Sequence, residues 1–443
     1  MRVGVVGAGV SGLAAAIELA AQGVSVTIFD PEDPGGRMTT RDLGGARVEL
    51  GPDSYLKRRG PALSLIESMG LPEIYPATTR ASMMTARGPV PVPSGLLLGA
   101  PRTISAAMGN PLMSLGAKLR AGVGALLLGA FAPGDDLGRI TEARYGRRWA
   151  RLNIEPLVGG INADSIYGLS ARVSAPAIVD IAKTAAPPTS LGGPAFAAPE
   201  SGLSTLIDAM VERLQGDDVD FVKQSCDSLS VTPGSVRLET ETGEFDFDQV
   251  IITTPAYIAS HLLEESAPHS AALLRSIDYS SVSMLIGSTA TALPRFAREL
   301  SGVLVDRDLR LHSTAVSIYS NKWPSRVPEK KAVLRISTGS LLDRRHLEKA
   351  DDDLVEILWN EACQVLSTDL ELEHRLVVRW KRAFPHFAPY HPRLIEHVRR
   401  STASATGGRV DLAGAYISGS GIPTCVAVAI EAAAACAERA SRI

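Results

Sequence analysis

The sequence predicts an α/β fold with α+β insertions, and three observations carry that prediction. The chain opens on an apolar run, Val3 to Val6, that breaks into Gly7-Ala8-Gly9-Val10-Ser11-Gly12 and turns helical. A second apolar run, Val24 to Phe29, ends in the acid Asp30. Near the far terminus, Val410-Asp411-Leu412-Ala413-Gly414 repeats the pattern of strand and glycine turn ahead of an alanine-rich helix. Strand, Gly-x-Gly-x-x-Gly turn, helix and a second strand ending in an acid make a Rossmann-like unit. That nucleotide-binding domain is discontinuous, and the sequence between its pieces supplies a mixed-sheet domain and a helical insertion.

Each part of the opening unit has a physical reason. Gly7 allows a tight turn, Gly9 lets the backbone approach a pyrophosphate, and Gly12 lets the helix sit close on the strand. Leu13 to Ala21 is helix-forming, so its free N-terminal N–H groups aim at the phosphates. Asp30 stands where a ribose hydroxyl would be held. A signal peptide does not fit, because the segment runs straight into a second strand.

Composition bounds the rest. The 443 residues suffice for two or three domains. A net charge of −3 gives no polyanion-binding character, so no nucleic-acid partner is expected. Cys226, Cys363, Cys425 and Cys436 form no Cys-x-x-Cys pair. Neither a disulfide framework nor a metal site follows, and a reducing cytoplasm is the expected compartment. No apolar run reaches the length of a membrane span. Ser94 to Phe131 comes nearest, but Pro101, Arg102, Pro111, Lys118 and Arg120 interrupt it. Helices walling an apolar cavity and a peripheral membrane-contact surface both suit that stretch.

Along the chain, Gly202 to Met210 reads as helix. Val219–Lys223, Ser228–Val231, Ser235–Glu239 and Phe245–Phe247 read as one meander. Gln249 to Ile252 reads as a buried strand returning to the nucleotide-binding sheet. Val303–Val305, Thr314–Tyr319 and Ala332–Ser337 read as strands. Asp351 to Leu366 is an amphipathic helix with Leu354, Ile357, Leu358 and Cys363 at helical spacing. Ala427 to Arg439 is the last helix.

Pro34-Gly35-Gly36-Arg37 and Val48-Glu49-Leu50-Gly51-Pro52-Asp53-Ser54 follow Asp30. With the opening turn they resemble the start of flavin amine oxidases, where a double glycine and a basic residue lie along FAD. Later blocks resemble protoporphyrinogen and coproporphyrinogen oxidases. They are Arg148 to Ile161, Ser301–Val305 with Ser320–Pro324, Val333-Leu334-Arg335, Trp380–Phe387 with His391, and Leu412 to Cys425. The matches keep their order from Val3 to Ala435. They identify the chain as a member of that oxidase family, most similar to the soluble coproporphyrinogen-oxidising branch of Gram-positive bacteria.

The resemblance implies a noncovalent FAD along Gly7, Ala8, Gly9, Val10, Ser11, Gly12, Asp30, Pro31, Gly36, Arg37, Gly51, Pro52, Asp53 and Ser54. Cys226 would meet the adenine through its backbone, and Trp380 would pack near the flavin. Ala415, Ser420, Gly421 and Ile422 would approach the flavin ring. Arg80 would stand against a substrate propionate. The flavin is the hydride acceptor, so no residue takes a catalytic role, and no metal is implied. Residues 1–85, 195–260 and 405–443 would form the FAD-binding domain. Residues 86–194 would be the helical domain, a cavity wall or membrane contact, and 261–404 the substrate domain.

The implied reaction oxidises coproporphyrinogen III or protoporphyrinogen IX in haem synthesis, with oxygen as acceptor and hydrogen peroxide as by-product. Handover of the product to a ferrochelatase belongs to the same expectation, and the oligomeric state stays open. Departures from the family pattern touch the substrate side or the flavin edge. They are His386 for Gln, Tyr390 for Gly, Gly419-Ser420 for Gly-Val, and Asp306-Arg307-Asp308 for a Pro-rich turn. They keep two alternatives open: an amine-oxidase or desaturase-like flavoenzyme with Tyr416 and Trp380 as aromatic walls, and an FAD- or porphyrin-binding protein without turnover. His386 and His391 are expected to be structural hydrogen bonders, and His312, His346 and His374 solvated. Lys57-Arg58-Arg59 is either a propionate patch or a solvated helix start. Arg87, Arg335 and Lys322 join Arg80 as cations that could reach a cavity.

Overall fold

A computed structural model of the chain describes residues 1–57, 60–126, 134–181, 194–216 and 218–440. Its first strand, β1 (Arg2–Val6), lies at the centre of a five-stranded parallel sheet. The order is Val219–Val222, β2 (Ser25–Phe29), β1, Gln249–Ile252, Val410–Leu412. Val3 stands opposite Val26 on one side and Gln249 on the other. Val3, Val5, Val250, Ile251 and Ile252 are fully buried, as strands covered on both faces must be. The helix α1 (Val10–Ala20) packs Ala14, Ala15 and Ala16 into the same core as Ala429 and Ala433 of the last helix.

Two expectations are corrected here. Val219–Val222 is not in the meander; it pairs parallel with β2, Val219 opposite Val26. The helix Ser204–Gln215 just before it belongs to a crossover, the connection that parallel pairing requires. The meander is therefore Cys226–Val231, Val236–Thr240 and Gly243–Phe247. It seats Phe245 and Phe247 edge-on against Phe29, with ring centres 5.1 and 5.8 Å away. The last helix runs Ile422–Ala440, starting ahead of Ala427. Pro423 sits in its first turn, where a missing N–H breaks no helical bond.

A seven-stranded sheet forms the second layer. Its order is His374–Pro385, Tyr279–Thr289, Ala332–Thr338, Ser313–Ile318, Gly302–Val305, Ala81–Thr85, Gly88–Pro91. Only the pairing of Gly302–Val305 with Ala81–Thr85 is parallel, so the sheet is mixed. Ala81–Thr85 thus joins this sheet, although the expected boundary at residue 85 placed it with the nucleotide-binding part. The helix Asp351–Leu366 buries Leu354 and Leu358 against the sheet. A third core, including Leu137, Tyr145, Trp149 and Ile154, holds the helical segment together. Within it, Ala150–Gly159 winds as a π-helix around Pro156, where the proline already lacks an N–H.

A buried ion pair ties the layers. Arg326 Nη1 lies 3.1 Å from Glu49 Oε1, and their side chains are 1% and 0% exposed. Glu49 also accepts from Leu203 N–H at 2.9 Å and Thr40 Oγ1 at 2.9 Å. Arg326 donates to Pro199 O at 2.5 Å, Glu200 O at 3.2 Å and Tyr319 Oη at 3.0 Å. Removing one partner strands the other charge. Arg326→Met is expected to cost about 3–5 kcal/mol in denaturant unfolding. Adding Glu49→Leu should recover most of that loss. A loss under about 1 kcal/mol for the single variant, the range of an exposed pair, would show that the pair does not tie the layers.

Candidate active site

The glycine turn is shaped by what stands around it. Gly7 has φ +107°, and a Cβ there would lie 2.7 Å from Thr253 Oγ1. That hydroxyl donates to Val6 O and Gly7 O at 2.9 and 3.1 Å. A Cβ on Gly12 would lie 1.8 Å from Gly7 O, so no side chain fits. Gly9 differs, because a Cβ there meets nothing within 4 Å. Gly36, at φ +58°, faces it with only Gly9 Cα at 3.9 Å. Between them lies open room at the N-terminus of α1, whose first N–H groups have no capping side chain. This cradle fits a pyrophosphate.

The neighbouring residues close around it. Asp30 accepts from Ala8 N–H at 2.7 Å and Glu32 N–H at 3.0 Å, one on each oxygen. A carboxylate so bonded keeps lone pairs for a hydroxyl. Pro31 follows on the surface. Ser11 Oγ donates to Cys425 O at 3.3 Å, which joins the two ends of the chain. Val10 is half-buried beside it. Arg37 donates to Arg382 O at 2.8 Å and to Ala383 O. A Cβ on Gly51 would lie 2.1 Å from Arg37 O, so that strand end needs glycine.

Asp53 is held by Lys322 at 2.8 Å and Arg335 at 3.2 Å. Burial pushes its carboxyl up, but the two cations outweigh that and hold it well below the usual carboxylate range. Ser54 Oγ donates to it at 2.9 Å, and Pro52 precedes it in the same half-buried segment. Trp380 Nε1 donates to Leu50 O at 2.8 Å. Cys226 is buried at the start of the meander. Gly414 (φ +112°) starts the turn Ala415–Ser418, and Ser420 and Gly421 lead into Ile422. Burial pushes the Cys425 thiol up to about 11, so it is a neutral thiol and a poor nucleophile toward a flavin.

A cavity of about 590 Å³ adjoins this region. Gly51, Trp380 and Phe384 are on its wall, as are Pro156 and Gly159 of the π-helix. Its charged lining is Glu155, Asp306, Arg307, Arg310, Arg335, Asp343 and Arg345. Arg80 is corrected: it is not on this wall. It precedes the strand Ala81–Thr85 and forms an ion pair with Glu299 at 2.6 Å, both side chains about three-quarters exposed. Arg87 sits exposed in the following hairpin turn, and Lys322 is engaged with Asp53. Sequence reasoning missed Arg307, Arg310 and Arg345 as cavity cations. The available signal was Asp306-Arg307-Asp308, which departs from the family turn on the substrate side.

Other expectations also change. Residues 94–126 do not wall the cavity. Instead Leu115, Leu119, Val123 and Leu126 form an outward stripe, each between 55% and 63% exposed. Residues 127–131 of that stretch, and Arg58 and Arg59, lie outside the described residues; Lys57 pairs with Glu73 at 2.7 Å. His346 is fully buried, not solvated, because its turn tucks it under Gly339. His312 is half-buried and 3.2 Å from Glu361. His386 contacts Asp164 at 2.5 Å and His391 contacts Tyr416 O at 2.6 Å, both as structural hydrogen bonds.

A parallel sheet with a glycine cradle, beside a cavity roofed by a second sheet, is the architecture of a dinucleotide-binding protein. The family model of the flavin-containing amine oxidoreductases matches residues 10–439. The chain belongs to that family. It is 28% identical to the coproporphyrinogen III oxidase of Bacillus subtilis (strain 168), covering 96% of this chain and 95% of that protein. It is 28% identical to the coproporphyrinogen III oxidase of Mycobacterium tuberculosis (strain H37Rv), with 96% and 95% covered. The crystal structure of a "Putative protoporphyrinogen oxidase" from Exiguobacterium sp. 255-15 superposes with a TM-score of 0.84. Its identity is 26%, and 98% of each chain is covered. Cyclohexylamine oxidase from Brevibacterium oxydans shares the fold at a TM-score of 0.70 and 17% identity, covering 100% and 99%.

Two glycines separate folding from binding. Gly9→Ala is expected to fold with an unchanged melting temperature and to hold flavin at least about tenfold more weakly, since its methyl enters the open cradle. Gly12→Ala should fail to fold, because its methyl meets backbone. Full flavin content in purified Gly9→Ala would show that the cradle is not the phosphate site.

Proposed function

We propose that this protein is an FAD-dependent oxidase of a porphyrinogen, coproporphyrinogen III or protoporphyrinogen IX, acting in haem synthesis. The carrying observation is the cavity: an apolar floor at Trp380 and Phe384, four arginines against three carboxylates on its wall, and Gly51 linking it to the segment that would hold the flavin. Its volume of about 590 Å³ suits one small-molecule ligand. An apolar macrocycle fringed with carboxylates matches such a wall. The end-to-end likeness to proteins named coproporphyrinogen III oxidase supports the same substrate class.

FAD bound there would supply two-electron oxidation of a bridging methylene of the macrocycle, with oxygen as the final acceptor and hydrogen peroxide as the by-product. The protein's part is placement. The cradle at Gly9 and Gly36 holds the diphosphate, and Arg37 and Asp53 fix the segments beside it. Trp380, locked to Leu50 O, gives the ring of the substrate a rigid wall. Pyrrole N–H protons leave by tautomerisation, so a dedicated base is not required. The amine-oxidase alternative loses ground because Tyr416 is fully buried and does not reach the cavity wall to pair with Trp380.

The test is direct. The purified flavoprotein is given coproporphyrinogen III and protoporphyrinogen IX in turn, and porphyrin fluorescence and peroxide are followed. Both signals should rise with at least one substrate. Fluorescence with neither would overturn the reading.

Peripheral membrane contact belongs to the same reading, as do a cytoplasmic location and product handover to a ferrochelatase. No helix among the described residues is long and apolar enough to cross a membrane. The stripe Leu115, Leu119, Val123, Leu126 supports a surface contact, with Lys118 on the same helix to meet lipid phosphates. Leu119→Glu with Val123→Glu should reduce co-sedimentation with anionic vesicles by roughly tenfold. Equal sedimentation of parent and variant would remove the stripe as the contact.

A further inference from the structure

We propose that Arg310 is the anion-binding residue of the cavity and takes a carboxylate of the substrate. The proposal rests on the reading that the cavity receives a tetrapyrrole with several carboxylates. Four guanidinium groups reach the wall, and three are engaged within the protein. Arg335 is 3.2 Å from Asp53 and donates to Gly51 O at 2.5 Å. Arg345 is 2.7 Å from Asp343 and donates to Leu311 O at 3.0 Å. Arg307 is 2.7 Å from Glu155 and donates to Asp164 O at 2.6 Å. Among the described residues, nothing accepts from the Arg310 side chain.

The turn that carries Arg310 is built to hold it there. The strand Gly302–Val305 ends at Asp306, whose side chain accepts from Asp308 N–H at 3.1 Å and caps a single 3-10 turn, Arg307–Leu309. Arg310 closes that turn at φ +54° and ψ +25°, with its N–H on Arg307 O at 3.1 Å. A left-handed arginine is disfavoured and persists only where its surroundings enforce it. Here the capped turn holds it, and two ion pairs brace that turn. Arg307 reaches Glu155, and Arg151 reaches Asp308, so the π-helix grips the turn from across the cavity. Asp306 is the one wall carboxylate without a paired guanidinium, and its capping bond keeps it on the backbone of its own turn.

An arginine held in a strained backbone with its guanidinium free is poised for a planar, two-oxygen anion. A propionate, ionised at neutral pH, has that form. Strain also supplies a clean test. Glycine suits a left-handed position better than arginine does, so Arg310→Gly removes the cation without harming the turn.

The flavin-loaded parent, Arg310→Gly and Arg310→Lys are compared with coproporphyrin III and protoporphyrin IX as probes. Binding is measured by fluorescence quenching, and turnover is measured separately with the matching porphyrinogens. Arg310→Gly should keep its flavin and its melting temperature and bind coproporphyrin III roughly tenfold more weakly. Arg310→Lys should restore part of the affinity, and added salt should narrow the gap between parent and variant. Binding by Arg310→Gly within about twofold of the parent overturns the assignment, whatever the turnover. Binding that depends on Arg310, with no turnover of either porphyrinogen, keeps the anion site and overturns the oxidase reading. A parent that binds neither porphyrin overturns both.

Discussion

Two carboxylates within one short segment hold the molecule's halves in register. Glu49 and Asp53 belong to the stretch that leaves the nucleotide-binding layer, and each is gripped by cations of the seven-stranded layer. Neither grip is a surface pair, since the five side chains involved are at most 20% exposed. Charges buried to that degree are favourable only with full hydrogen bonding, and here Leu203, Thr40, Tyr319 and Ser54 supply it. The geometry of Gly51, midway between the two acids, follows from both grips at once.

That constraint decides where the cavity can be. Gly51 presses its backbone against Arg37 O and receives Arg335 on its own carbonyl. Trp380 is fastened to the neighbouring Leu50 O. The cavity wall at Gly51 is therefore rigid, made of backbone and one clamped indole. The opposing elements, the π-helix and the turn at Asp306–Arg310, are fastened to each other by separate ion pairs. The cavity lies between two internally braced bodies, which suits binding a stiff macrocycle without large rearrangement.

The cradle was legible in the sequence because its chemistry is local. Gly7, Gly9, Gly12 and Asp30 act through backbone space and one short acid, and their spacing carries that meaning directly. The central strands and the helix Asp351–Leu366 were legible for a similar reason, since periodicity records burial. Val219–Val222 was not, because its pairing with β2 depends on a crossover rather than on its own alternation. Arg80 misled because family position names a neighbourhood, whereas side-chain direction at a strand start reverses with one residue of register. Arg307, Arg310 and Arg345 were invisible as a group. They come from two turns that only the sheet order of the second layer brings together.

The distribution of charge follows from the same division. Around Asp53 the cations outnumber the acid, since it faces both Lys322 and Arg335, and Arg37 is anchored on carbonyls without a carboxylate. A surplus positive charge in a partly buried place favours a diphosphate and the extra negative charge of a reduced flavin. Across the cavity the cations Arg307 and Arg345 are instead neutralised one by one by Glu155 and Asp343. Such pairing makes the wall hospitable to an apolar ring while keeping repulsion between arginines low.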